Sequence, residues 1–480
     1  MNALTRLTAA ATAASSLLLV APHASAQPRP SAPTLAITGA TVIDATGRAP
    51  IADGTVLIRD GRIAAVGAAA QVSIPAGATR IDGRGKYVIP GLMDANLHLY
   101  LNADLESLIR YEDRYHEIVL EGAQIALKAG MTTVFDTWGP RAAIARARDM
   151  INAGQAPGSR IYFAGNIIGF SGPLGPDFFG AAAATVTKQF ARQVNSTWEE
   201  GTGRELMWMP PDTLRAAIRR YLTTGVDFLK FGGSGHVEMS FVSFSERQQR
   251  AIVEEGHKAG KVVQAHVTSP ESIDMAVDAG VDILTHGDIS GSAFTIPQET
   301  LDKIAQRGTY VSSLAITARS LDALRTSAPN GVLTPYMVLA SQNVHQMVKR
   351  GVKLLVSTDA GVEDPVRLAE SPTLAADTID ARVKLGEGHF NALLAFEEAG
   401  MAPMEILRSA TANVATAYRL DRDIGTLEAG KIADLVILDA DPLASARNYR
   451  RIAAVIKDGR VVDLARLPEK PIVSAKRVVK

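Results

Sequence analysis

The chain has 480 residues, 47% of them apolar, enough to bury a large core in one big domain or two. Lysine plus arginine equals aspartate plus glutamate at 50 each, so the charge suggests neither a nucleic-acid partner nor an anionic membrane surface. Cysteine is absent, which excludes disulfides, thiolate ligands and a cysteine nucleophile, and leaves nitrogen and oxygen as the only metal donors.

Residues 1–26 have the pattern of a secretory signal. Arg6 supplies the charged start, Leu7 to Val20 an apolar stretch, and Ala24-Ser25-Ala26 a small-x-small cleavage site before Gln27-Pro28. The stretch is short for a membrane anchor, and no later segment reads as a span. No cysteine follows it, so a lipoprotein anchor is excluded. The expected mature protein is soluble and exported, secreted or periplasmic, with no stable membrane association.

From Thr34 to Val88 short alternating strands are punctuated by the hairpin signals Asp60-Gly61 and Gly83-Arg84-Gly85. The same texture returns near the far end, where Asp458-Gly459 repeats the turn chemistry. These features predict a small β-sandwich built from both chain ends, residues 27–88 and 421–480. The middle, residues 89–420, alternates differently. KAGMTTVFDT, EEGHKAGKVVQAHV, MAVDAGVDILTHGD, AQRGTYVSSL and VKRGVKLLVSTDAG each read as a helix end, a glycine stop and a buried strand. Such repetition predicts an α/β fold, a (β/α)8 TIM-like barrel.

Taken in order, His98 ends the first barrel strand, Asp136 the second, Asn166 the third, Lys230 the fourth, His266 the fifth and His286 the sixth. Ser312-Ser313 lies in the seventh, and Asp359 ends the eighth. In a barrel of this kind strand ends build the catalytic face, so these side chains should converge. Between Asn166 and Pro211 runs a long connection with Gly172-Pro173, Gly175-Pro176, Phe178-Phe179, Trp198 and Trp208. Together with Trp138 it places all three tryptophans at the rim, as an aromatic lid or as ordinary packing.

Asn96-Leu97-His98, Lys230, His266, His286 and Asp359 supply imidazoles, a carboxylate and a lysine, the mixture a hydrolytic metal site gathers from distant strand ends. A lone histidine there would be a packed polar residue; two of them in register with a lysine and an aspartate point to ligands. His236, in the GGSGH loop after Lys230, and Tyr100, two residues past His98, are candidates for contact with the scissile carbonyl or the pocket wall. His116, His257, His345 and His389 read as structural.

The order of these residues, with the entry VIPGLMDANLH, the eighth-strand STDAG and the exit GTLEAGKIADLVILD, resembles the amidohydrolase superfamily, the imidazolonepropionase and Xaa-Pro dipeptidase-like branch. The resemblance implies two divalent metals, zinc foremost with manganese or iron as alternatives. One would be held by Asn96, His98 and Asp359, the other by His266 and His286, with Lys230 carbamylated as the anionic bridge. It also implies that Asp359 moves the proton from the attacking hydroxide to the leaving amine. Asn96 departs from the usual His-x-His; a carboxamide is a poorer zinc ligand than imidazole, which leaves room for one metal. An Asn-x-His motif is similar to that of the phenylurea hydrolases.

The expected function is therefore cleavage of an amide-type C–N bond by metal-activated hydroxide, in a small substrate such as an N-acyl amino acid, dipeptide, aryl amide, urea or carbamate. A mononuclear deaminase and a decayed barrel acting as a binding protein are the alternatives. Oligomeric state is left open, a homo-oligomer included.

Overall fold

Alternating Val, Ile and Ala residues between Asp-Gly turns form the terminal strands β1 (Leu35–Val42), β2 (Ile51–Arg59), β3 (Arg62–Ala68), β4 (Thr79–Asp82) and β5 (Tyr87–Pro90). The computed structural model describes residues 32–100, 105–178, 180–236, 239–331, 333–366 and 384–475; the expected signal at 1–26, and Phe179, lie outside them.

Eight further strands are interleaved with helices. They are β6 (Leu92–Leu97), β7 (Met131–Asp136), β8 (Arg160–Phe163), β9 (Leu229–Gly232), β10 (Val263–His266), β11 (Ile283–Thr285), β12 (Tyr310–Ser313) and β13 (Leu354–Val356). The chain then returns to the first sheet with β14 (Leu435–Leu438), β15 (Ile452–Lys457) and β16 (Arg460–Val461).

The terminal sheet runs in the order β16-β15-β14-β5-β1-β2-β3, with β4 also on β1. Its two halves meet where β5 and β14 pair antiparallel, Ile89 opposite Val436. The far edge curls back, since Ile63 N–H donates to the Lys431 carbonyl and Gly430 N–H to that of Ile63, both at 2.8 Å. Ile37, Val56, Ile58, Val88, Leu435, Ile437 and Ile456 fill the space so enclosed. The Asp60-Gly61 and Asp458-Gly459 turns both have positive φ and lie against each other; a Cβ on Gly459 would sit 2.7 Å from the Gly61 Cα.

β6–β8 form one parallel sheet and β9–β13 another. Ile168 joins them, donating to the Lys230 carbonyl at 2.8 Å and accepting from Gly232 N–H at 3.0 Å. First and last strands close through Asp359 N–H to the Asn96 carbonyl (2.9 Å) and His98 N–H to the Ala360 carbonyl (2.8 Å). The result is the eight-stranded barrel. Asp94 bolts that seam: buried among strands, it accepts from the Thr358 hydroxyl at 2.6 Å and from Asn96 N–H at 3.0 Å. Burial pushes its carboxyl up to about 7.

The expected long connection after Asn166 is partly helical rather than a loop. Thr187 caps a helix Lys188–Glu199 by accepting from Phe190 N–H, and Val194 and Trp198, one turn apart, face the core. Between barrel and sheet, Arg160 at the start of β8 meets Asp434 (3.1 Å) and Asp458, and Lys457 reaches Asp458 (2.7 Å) and Asp434 (3.6 Å). Among the described residues no helix is long and apolar enough to cross a membrane.

His389 illustrates a cost of this burial. Its Nε2 bonds the Ala129 carbonyl at 3.0 Å, and burial pushes the imidazole down to about 3. The unfolded chain, with histidine near 6.5, therefore binds the extra proton, so this contribution to stability is full above pH 6.5 and is lost as pH falls towards 3. In His389→Gln, unfolding free energies measured between pH 6.5 and 4 should fall less steeply with acid than in wild type, by up to about 1.4 kcal/mol per pH unit. An unchanged slope would show that His389 does not govern this acid loss.

Candidate active site

The site is assembled at the mouth of the barrel by residues at or just beyond strand ends, with Asn96 one residue before the end of β6 and Lys230 two before the end of β9. Lys230 Nζ donates to Asn96 Oδ1 and to Thr137 Oγ1, both at 3.0 Å. The Thr137 hydroxyl also donates to Asn96 Oδ1. On its other side the Asn96 amide donates to Asp359 Oδ1 (3.1 Å) and Ser357 Oγ (3.2 Å). His98 Nε2 bonds the same Asp359 oxygen at 2.8 Å, and His286 Nε2 stands 3.8 Å from it. His266 follows, its ring 4.9 Å from that of His286 and 5.4 Å from that of His236. The structure thus brings Asn96, His98, Lys230, His236, His266, His286 and Asp359 together.

Tyr100 is placed differently. Its ring packs against Tyr115 (4.9 Å) and Trp198 (5.6 Å), in an aromatic wall rather than in the polar cluster. Trp138 continues that wall, edge-on to His98 and stacked on Phe178 at 4.0 Å. Phe170 meets His266 at 5.5 Å. Trp138 and Trp198 are buried, whereas Trp208 is 89% exposed and takes no part. Of the remaining histidines, His257 pairs with Asp282 and His345 with its own helix backbone.

Two backbone positions are strained where the chemistry converges. His286 (φ 60°) and Asp359 (φ 58°) both sit in the left-handed region just past their strands. Non-glycine residues pay on the order of 1–2 kcal/mol there, a cost that persists where surrounding structure enforces it and that clusters at functional sites.

Burial dominates the electrostatics. It lowers the Lys230 ammonium to about 8, and it pushes His286 down to about 3 and His266 well below its usual range, so both imidazoles are neutral, the form that ligates. Burial alone would raise Asp359, but His286, His98 and Lys230 outweigh it and hold the carboxyl well below the usual range. Asp136, fixed by Leu99 N–H at 2.8 Å and Trp138 N–H at 3.2 Å, is raised by burial to about 7.

Both ring nitrogens of His266 and Nδ1 of His286 are buried without a hydrogen-bond partner. Unmet buried polar atoms are expensive, and two neutral imidazoles, each with one lone pair to give, in the same cluster as a carboxylate fit a divalent metal. Among the described residues no three His, Asp or Glu side chains already form a ligand group. Two of the expected positions are an amide and an amine, and the Asp359 carboxylate is engaged by His98 and Asn96.

A model of the amidohydrolase family matches residues 87–462. The chain belongs to the amidohydrolase family. Two solved structures are similar over nearly the whole chain at 35% identity. One is molinate hydrolase, with a TM-score of 0.89 over 94% of this chain and 98% of that one. The other is phenylurea hydrolase B, at 0.86 over 92% and 100%. Ochratoxinase of Aspergillus niger is 24% identical over 85% of this chain and 81% of its own length. This amidohydrolase is thus an enzyme, a hydrolase of carbon–nitrogen bonds, and the reading as a decayed binding protein is set aside.

Thr137, Ser357, Asp177, Asp94 and Phe170 were missed from sequence. Thr137 carried the signal used for the others, since it directly follows the strand-end Asp136. Asp177 and Phe170 lie in the irregular run after β8 and had none.

Proposed function

We propose that this amidohydrolase is an exported enzyme that cleaves an amide-type C–N bond in a small, partly apolar substrate. In this reading His266 and His286 hold one divalent metal, zinc, manganese or iron, and Asn96, His98 and Asp359 a second. A metal so placed lowers the pKa of a bound water and polarises a carbonyl. Lys230, lowered by burial, would react as its free amine with carbon dioxide, forming the N–C bond and releasing a proton, and the carbamate so made would supply an anionic oxygen ligand in place of the ammonium. Asp359, ionised and 2.8 Å from His98, is placed to take the proton of the attacking water and deliver it to the leaving nitrogen. Phe178, backed by the buried Trp138, offers an apolar face for the substrate. That relatives include a molinate hydrolase, a phenylurea hydrolase and an ochratoxinase favours amides, ureas and carbamates as the substrates to screen. Export is supported by the signal pattern in residues 1–26.

The observation that carries the reading is the set of unpartnered buried nitrogens on His266 and His286, in the cluster where His286 Nε2 stands 3.8 Å from Asp359. Metal content by mass spectrometry, on protein purified with bicarbonate, tests it beside Lys230→Ala. About two ions per chain are expected in wild type, with loss of at least one in the variant. One ion retained in both would support the second reading, a mononuclear site. That reading is favoured by the Asn96 amide, which is already bonded to Lys230 and Asp359.

A further inference from the structure

His236 has one ring nitrogen committed. Its Nδ1 lies 2.9 Å from the backbone carbonyl of Asp177. A carbonyl oxygen only accepts, so the proton is on Nδ1, and the neutral ring presents Nε2 as a bare lone pair. Among the described residues Nε2 has no hydrogen-bond partner, and the ring lies beside His266 (5.4 Å) and under Phe178 (4.6 Å). The carbonyl that fixes the tautomer is itself fixed. Asp177 accepts from the N–H and hydroxyl of Ser171, both at 2.8 Å, and pairs with Arg204 at 3.1 Å.

A lone pair at this place repels a carbonyl oxygen and the oxyanion that develops from it, and it attracts an N–H. We infer that His236 is a specificity residue that accepts the N–H of the scissile bond, so that the site selects secondary amides, ureas and carbamates over those whose scissile nitrogen is fully substituted. This narrows the sequence expectation of contact with the scissile carbonyl, and it rests on the amide-cleaving reading above.

Matched N–H and N-methyl pairs of an aryl acetamide, an aryl urea and an aryl carbamate test it on the metal-loaded enzyme, with His236→Leu and His236→Gln. Wild type should prefer the N–H member, and His236→Leu should shrink the ratio of kcat/KM values about 10- to 100-fold, mainly through KM. Gln, which can accept through Oε1, should restore part of the ratio. An unchanged ratio with both members slowed equally would reduce His236 to packing and overturn the inference while leaving amide cleavage standing. No turnover of any pair would count against the amide-cleaving reading itself, and the inference falls with it. Independently of activity, the ¹⁵N spectrum of histidine-labelled protein, with His236→Gln to assign the signal, should place the proton on Nδ1. A proton on Nε2 instead would refute the selection.

Discussion

Asp359→Asn is expected to lower kcat by about 100- to 10,000-fold with the fold intact, the range in which a positioned proton-transfer group contributes. Asparagine keeps the shape of the side chain and tolerates the left-handed backbone at φ 58°, so the change isolates the charge. What is lost is the negative charge on the oxygen that His98 and the Asn96 amide share and that stands 3.8 Å from His286. Because Asp359 is held well below the usual carboxylate range, wild type should show no loss of activity from its protonation near neutrality. Steady-state kinetics with circular dichroism on the same samples is the measurement. A variant retaining more than about a tenth of wild-type kcat would remove Asp359 from the proton path.

Asp434→Ala should cost about 3–5 kcal/mol of stability, the penalty for leaving buried charges without their partner. The Asp434 side chain is only 5% exposed and lies between Arg160 and Lys457, itself 8% exposed. Without it two cations confront each other at the junction of barrel and sheet, with Asp458 left between them. The backbone bond from Gly91 to the Asp434 carbonyl survives the substitution, but Asp458 N–H loses its acceptor Asp434 Oδ1 (2.8 Å), so the loss reports on that bond together with the charge. Urea unfolding monitored by circular dichroism measures it, with Asp434→Asn as an intermediate case. A shift under about 1 kcal/mol would show that water reaches the cluster and screens it.

His98 was legible from the entry VIPGLMDANLH. The positions of His266, His286 and Asp359 were legible because each follows a glycine-stopped helix and an apolar run, a pattern that announces a buried parallel strand and where it ends. Lys230 was legible for the same reason, although it sits inside β9 rather than at its end. Asp94 stood in view within VIPGLMDANLH, yet only the pairing of β6 with the last strand gives it Thr358 as a partner. The aromatic wall is tertiary in the same sense. Nothing local to Tyr100 says that it will meet Trp198 rather than the polar cluster. The helix Lys188–Glu199 was readable from its Thr187 cap and the Val194–Trp198 spacing, but its glycine- and proline-rich approach masked it.

The pairing of Ile89 with Val436 also orders events in time. β1 to β5 leave the ribosome early, and their partner strand is made only after the entire barrel has been translated. At about 5–20 residues per second that interval is on the order of half a minute, during which β5 presents an apolar, unpaired edge. A chain cut short before Leu435 would keep that edge open permanently. The closing strand therefore marks completed molecules, and incomplete ones carry a sticky border that chaperones and proteases can recognise.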